Sequence, residues 1–209
     1  MSEYELEVGD ASPAAVAKHV GAPLDFQPEL QPGTTIGKYR ILFCIGAGGM
    51  AEVYLAVARG PGGFNKLLVL KLLRSDLEGQ ENLVKMFFQE AQLAARLSHP
   101  NIVQTFEVAD VENRHVLVME YLKGESLGNI RRRSYRLHKQ LPPLPIQLTI
   151  IANVLAGLHH AHELEDYDGT PLGLVHRDVS PGNVFVTDDG DVKLLDFGIA
   201  RSTTSDKTR

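Results

Sequence analysis

Two acids and an amide towards the C-terminal end of the chain have the types and spacing to hold a hard cation beside a reacting hydroxyl. They lie in His176-Arg177-Asp178-Val179-Ser180-Pro181-Gly182-Asn183 and in Asp196-Phe197-Gly198. Asn183 follows Asp178 by five residues and Asp196 follows it by eighteen. Apolar runs at 184–186 and 192–195 bracket the turn Asp188-Asp189-Gly190, which predicts a hairpin whose strand ends can bring these polar groups to one place. Asn183 and Asp196 offer oxygen ligands suited to Mg²⁺. Asp178 is then a carboxylate able to orient a hydroxyl and accept its proton. Either tripeptide alone is a common accident, but the ordered set is not.

Three further features lie upstream. Gly46-Ala47-Gly48-Gly49-Met50-Ala51 fits a glycine-rich loop in which backbone N–H groups approach phosphate oxygens with no Cβ in the way, although such clusters between strands are more often plain turns. A dinucleotide site would need an acid about 20 residues on, and no Asp or Glu stands between Val53 and Ser75. Lys71 interrupts the apolar run 67–73, where a cation must find an anion or reach solvent. Glu90 sits on the apolar face of a helix marked by Leu83, Met86, Phe87, Leu93 and Leu97. Two opposite misfits on neighbouring elements are expected to pair with each other.

The elements that must position these groups follow from the pattern. Strands are predicted at 39–45, 53–57, 67–73, 103–108 and 116–121, with the one helix among them. After Tyr121 the pattern turns helical, best at 145–163, with Leu148, Ile151, Leu155 and Leu158 on one side. Residues 1–36, with Pro13, Pro23, Pro28 and Pro32, are expected to form a flexible extension. The 209 residues are 44% apolar and 22% charged with net charge −5, which gives no electrostatic support for a nucleic-acid or membrane-surface role. The single cysteine, Cys44, excludes an internal disulfide and reads as a small core hydrophobe. An acidic start and no apolar run approaching about 20 residues lead to the expectation of a cytoplasmic chain without a membrane segment.

From Tyr39 to Arg201 the chain resembles the protein kinases, in detail the bacterial serine/threonine kinases of the eukaryotic-like (Hanks) type. The glycine loop, Lys71 within Leu68-Val69-Leu70-Lys71, Glu90, His99-Pro100-Asn101-Ile102-Val103, Met119-Glu120-Tyr121-Leu122, the His-Arg-Asp segment and Asp-Phe-Gly come in the family's order. The resemblance implies an α+β, two-lobed fold, with a complete β-rich first lobe over 37–121 and an incomplete helical second lobe over 122–209. It implies ATP as substrate and Mg²⁺ as cofactor, with a protein Ser or Thr hydroxyl as acceptor. Gly46, Gly48, Gly49 and Val53 would cover the phosphates, and Lys71, held by Glu90, would contact two of them. Met119 would back the adenine pocket, Glu120 and Leu122 would bond the base, and Val69 and Ser126 would complete the nucleotide site. Asp178 would be the catalytic base, Asn183 and Asp196 the metal ligands, and His176 and Phe197 packing that holds the loop. Arg177 implies control by phosphate, with Ser202, Thr203, Thr204, Ser205 and Thr208 as candidate acceptors, autophosphorylation included.

Two departures from the family stand out. Ser180 occupies the place of a lysine that usually touches the transferred phosphate; a lost donor of this kind costs roughly 10²–10³ in rate. The chain ends thirteen residues after Asp196, ahead of an Ala-Pro-Glu element. It is therefore expected to be a fragment that folds poorly and phosphorylates little by itself. The rival readings are a nucleotide-binding pseudokinase or regulatory fragment, and a small-molecule kinase of related fold. The basic run Arg131, Arg132, Arg133, Arg136, His138 and Lys139 reads as a solvated helix face. His159, His160 and His162 read as cations at a helix C-terminus rather than a metal site. The stretch 163–173 reads as a surface insertion.

Overall fold

A computed structural model describes residues 27–197. Its sheet strands run β1 (Thr35–Ile36), β2 (Tyr39–Ala47), β3 (Ala51–Arg59), β4 (Asn65–Leu73), β5 (Thr105–Val111) and β6 (Arg114–Glu120), in the spatial order β1-β2-β3-β4-β6-β5. Three strands of a second sheet, β7 (Gly124–Ser126), β8 (Val184–Thr187) and β9 (Val192–Leu194), lie in that order. The helices are α1 (Glu81–Arg96), α2 (Leu127–His138) and α3 (Leu144–His162). The chain thus has the expected α+β character. Its described residues divide into two compact units: those up to Val84 with Glu107–Tyr121, and Lys85–Phe106 with those from Leu122 to Phe197.

In the first unit strand alternation decides which way each side chain faces. Leu68, Leu70 and Leu72 of β4 are buried in one core with Ile41, Tyr54, Ala56, Val116 and Val118. The intervening Leu67, Val69 and Lys71 therefore share the opposite face. Lys71 thus points away from the core of Leu68, Leu70 and Leu72, onto a face it shares with the buried Leu73, Leu117 and Met119.

The segment ahead of β1, expected to be loose, is tied to this unit over its described part. Burial, and then the carboxylate of Glu52, push the Tyr54 hydroxyl far above its usual range, so it stays protonated and donates to Glu52. The backbone N–H of Glu29 also donates to the buried Glu52 at 3.2 Å, and that of Leu30 to the Tyr54 hydroxyl at 3.2 Å. The Glu29 carboxylate accepts from the N–H and hydroxyl of Ser75 at 2.9 and 2.8 Å and pairs with Arg114. Glu52, Tyr54 and Glu29 thereby gain partners, which helps the segment to stay in place.

Burial raises the Glu29 pKa, but bonds from Ser75 and Arg114 outweigh it and hold the group below its ordinary 4.5. A depressed acid contributes stability above its unfolded pKa and loses it as pH falls through the folded one. We expect Glu29→Gln to cost about 1–2 kcal/mol at neutral pH, and the gap from wild type to shrink below pH 4.5. Urea titrations of both proteins at several pH values check this; a pH-independent gap would remove the ionised Glu29 from the account.

In the second unit α3 is apolar around much of its circumference. With 19 residues it is long and apolar enough to cross a membrane by length and composition. This corrects the expectation that no segment comes near such a length. The expected packing face is also corrected. Leu148, Ile151 and Leu155 are 56%, 52% and 59% exposed, whereas Ile150, Val154 and Leu158 pack with Val184, Val192 and Leu194. Gly157 sets the choice, because a Cβ there would lie 2.9 Å from the Asn101 carbonyl oxygen. Asn101 in turn donates through Nδ2 to Asn153 and to the Val192 carbonyl, both at 2.9 Å. A second cluster joins Leu97, Ile102, Ala161, Leu174 and Phe197, with Leu93 and Leu164 against it.

Candidate active site

The hairpin β8–β9 has the register Val184↔Leu194, Phe185↔Lys193 and Val186↔Val192. Its turn closes with Gly190 N–H on the Thr187 carbonyl at 2.9 Å, with Gly190 at φ +92°, a conformation that favours glycine. Beyond the ladder the Leu195 N–H donates to the Asn183 carbonyl at 2.9 Å. That bond sets Asn183 beside the residue preceding Asp196, although thirteen positions separate Asn183 from Asp196.

Asn183 then fastens Asp178. Its Nδ2 donates to the Asp178 carbonyl at 2.9 Å and to Asp178 Oδ2 at 3.0 Å. Both partners are acceptors, so the NH₂ end of the amide must lie there, and Oδ1 is left as the acceptor end of Asn183. The buried His176 completes the frame. Its Nε2 lies 3.0 Å from the Leu195 carbonyl, and its Nδ1 is 3.3 Å from the Asp178 N–H. A carbonyl can only accept and an N–H can only donate, which fixes the proton on Nε2. The ring also packs on Phe197 at 4.5 Å. Leu195, which sequence reasoning did not single out, thus serves both strands of this frame through its backbone. Its only signal was its place next to Asp196.

Two backbone positions are bent to fit. Arg177 and Asp196 adopt φ of 62° and 41°, the left-handed region that costs an L-residue roughly 1–2 kcal/mol. The surrounding bonds of His176, Asp178 and Leu195 hold these conformations. The donor chemistry fits a hard divalent cation: an amide oxygen at Asn183 and a carboxylate at Asp196 are the ligands Mg²⁺ takes. Pro181, in the same loop, accepts from the N–H of Gly128 at 2.7 Å, which docks the start of α2 onto it.

The first unit positions a second group of the expected residues. Val53 pairs with Lys71, Val69 with Met119 and Lys71 with Leu117, so Val53, Val69, Lys71 and Met119 occupy one sheet face. Gly46 and Ala47 pair with Val53 and Glu52, and Gly48 N–H closes the β2–β3 loop on the Ala51 carbonyl at 2.9 Å. A Cβ at Gly49 would meet nothing within 4 Å and one at Gly48 only the Ala51 oxygen at 3.8 Å. The outer side of this loop is therefore bare backbone, as a phosphate cradle requires. Cys44 is half-buried and donates to the Gly46 carbonyl at 3.2 Å, and burial pushes its thiol up, away from reactivity.

The family model for the protein kinase domain matches residues 39–209. The chain belongs to the protein kinase family. It is 42% identical to the tyrosine-protein kinase MasK of Myxococcus xanthus over 84% of this chain and 26% of that protein. It is 33% identical to the serine/threonine-protein kinase PrkC of Bacillus subtilis over 81% of this chain and 24% of that one. The chain thus spans about a quarter of the length of these relatives. Among solved structures it is similar to the PknI kinase domain of Mycobacterium tuberculosis, with a TM-score of 0.62 and 30% identity over 82% of this chain and 62% of that one.

The other expected residues of this kinase chain are placed as follows. Glu90 is half-buried on α1. Glu120 ends β6, paired with Leu68, and Leu122 follows it after one residue. Ser126 is spent structurally: its hydroxyl accepts from the Asn129 N–H and caps α2. Ser180 is half-buried, and its carbonyl accepts from the Asn183 N–H at 3.0 Å, so the loop uses its backbone. The candidate acceptors from Ser202 to Thr208 lie outside the described residues.

Proposed function

We propose that this chain carries the catalytic residues of an ATP- and Mg²⁺-dependent protein serine/threonine kinase that transfers the γ-phosphoryl group of ATP to a protein hydroxyl in the cytoplasm. The observation that carries the reading is the bonded frame of His176, Asp178, Asn183 and Leu195 beside the left-handed Asp196. Asn183 and Asp196 are the residues that would hold the metal. Bound there, Mg²⁺ supplies neutralisation of charge on the phosphate oxygens. Asp178, oriented through Oδ2 and its own backbone, accepts the hydroxyl proton of the acceptor. With the Gly48 N–H closed on Ala51, the bare backbone at Gly49 offers its N–H to phosphate oxygens, and Lys71 offers them an ammonium.

A second reading, nucleotide binding without turnover, is favoured by Ser180 in the lysine's place. Labelled phosphate transfer separates the two when read beside thermal stabilisation by ATP with and without Mg²⁺. The acceptors should include a Ser/Thr protein, a Tyr-only protein and small hydroxyl compounds, since MasK is named a tyrosine kinase. Transfer to Ser or Thr supports the proposal; Mg²⁺–ATP stabilisation with no transfer to any acceptor supports the second reading. We further expect Asp196→Asn to abolish the Mg²⁺-dependent part of the stabilisation and to leave the Mg²⁺-free part. Retention of the full Mg²⁺ effect would remove Asp196 as a ligand.

A further inference from the structure

The turn at 163–173, which the active-site frame does not use, is a built element. Asp166 N–H donates to the Thr170 carbonyl at 2.7 Å, Gly169 N–H to the Asp166 carbonyl at 2.9 Å and Leu172 N–H to the Leu164 carbonyl at 2.9 Å. Glu165 bridges Pro171 in antiparallel fashion. Two carboxylates brace the tip: Asp166 Oδ1 accepts from Tyr167 N–H at 2.7 Å, and Asp168 Oδ1 from Thr170 N–H at 2.9 Å.

Arg96, the last residue of α1, grips this turn at three points. Nη1 donates to Asp166 Oδ1 and Nη2 to the Glu165 carbonyl, each at 2.7 Å, and the guanidinium lies over the Tyr167 ring at 4.4 Å. The planar fork makes these contacts together, which a lysine ammonium could not. The Arg96 side chain is 22% exposed and that of Asp166 44%, so the pair is screened by salt only in part. Arg96 holds the Asp166 carboxyl below its usual range, with help from the Tyr167 N–H. At the base of the turn Leu164 and Leu174 enter the cluster that contains Leu93 and Leu97 of the α1 end and Phe197.

We propose that Arg96, Asp166 and Tyr167 form a clamp that fixes the C-terminal end of α1 and thereby positions Glu90. The role of Glu90 here rests on the kinase reading of that residue. Glu90 stands six residues before Arg96, roughly 9 Å along the helix axis. Over less than two turns a helix moves as a rod, so a helix freed at Arg96 can pivot about its Leu93 and Leu97 contacts and carry Glu90 with it. The turn belongs to the chain segment that leads into His176 and Asp178. It therefore couples the helix bearing the lysine's partner to the segment bearing the base.

The test measures amide hydrogen exchange across the chain and Mg²⁺–ATP affinity in wild type, Asp166→Ala, Arg96→Lys and Asp166→Glu. Asp166→Ala is expected to speed exchange in α1 and to weaken Mg²⁺–ATP binding roughly three- to tenfold, the loss typical of one partly exposed charged pair. Exchange at 176–183 should hold. Arg96→Lys should fall between wild type and Asp166→Ala, and Asp166→Glu, which keeps a carboxylate for the guanidinium, should recover most of the loss. A purely structural contact would instead change α1 and the 176–183 loop together with the thermal midpoint. Unchanged α1 exchange, or Asp166→Glu no better than Asp166→Ala, overturns the clamp. If wild type itself fails to bind Mg²⁺–ATP, the kinase reading of Glu90 falls, while the exchange pattern still decides whether the clamp exists.

Discussion

Asp178→Asn is expected to reduce phosphoryl transfer by roughly 10²–10⁴, the usual contribution of a positioned general base, while Mg²⁺–ATP affinity stays within about threefold of wild type. The substitution keeps side-chain volume and leaves an oxygen that can still accept from Asn183 Nδ2, now 3.0 Å from Oδ2. The backbone bonds of residue 178, to His176 Nδ1 and from Asn183 Nδ2, do not involve the carboxylate and should survive. What is lost is the basic oxygen. Steady-state transfer and nucleotide titration on the same preparations separate a chemical effect from a binding effect. Transfer within tenfold of wild type would remove Asp178 from the role of base and leave positioning by Asn183 and Asp196 as its surroundings' main contribution.

The largest expected loss of stability is at Gly124. This residue opens β7 and pairs with Thr187 of β8. A Cβ at Gly124 would lie 2.2 Å from the Val186 carbonyl oxygen and 2.6 Å from the Thr187 Cα, both backbone atoms of the neighbouring strand. Neither can turn aside as a flexible side chain would, so one strand must move. We expect Gly124→Ala to cost about 3 kcal/mol, the upper range for overpacking, and to lower the melting midpoint by roughly 5–10 °C. The displaced strand carries Ser126, which caps α2, so helicity should fall with it. Gly79→Ala is the control, since nothing lies within 4 Å of a Cβ there and its midpoint should stay put. Equal midpoints for the two variants would show that β7 is not held where the register places it.

Much of the fold was legible because strand and helix periods are local properties. The 67–73 run became β4 over Asn65–Leu73, and the helix marked by Leu83 to Leu97 became α1 over Glu81–Arg96. β7 escaped notice because three residues give no period. So did β1 and the Glu29 segment, whose order depends on Glu52, Tyr54, Ser75 and Arg114, up to 85 residues away. In α3 apolar residues surround most of the axis, so no period could select a face. The absence of a side chain at Gly157, where Asn101 approaches, selected it instead.

The residues of the site were legible by type and order: an acid for a proton, an amide and an acid for a cation, glycines where backbone must be bare. Those roles follow from functional groups, which the chain carries whether folded or not. Tertiary structure alone decided which end of the Asn183 amide faces Asp178, which nitrogen of His176 bears its proton, and that Asp196 sits in left-handed backbone. It also turned an apparent surface insertion into a partner for Arg96. The reason is common to all four. A hydrogen bond has a direction and a reach of about 3 Å, and partners 5, 19 or 70 residues apart meet only when hairpin register and helix packing bring them there.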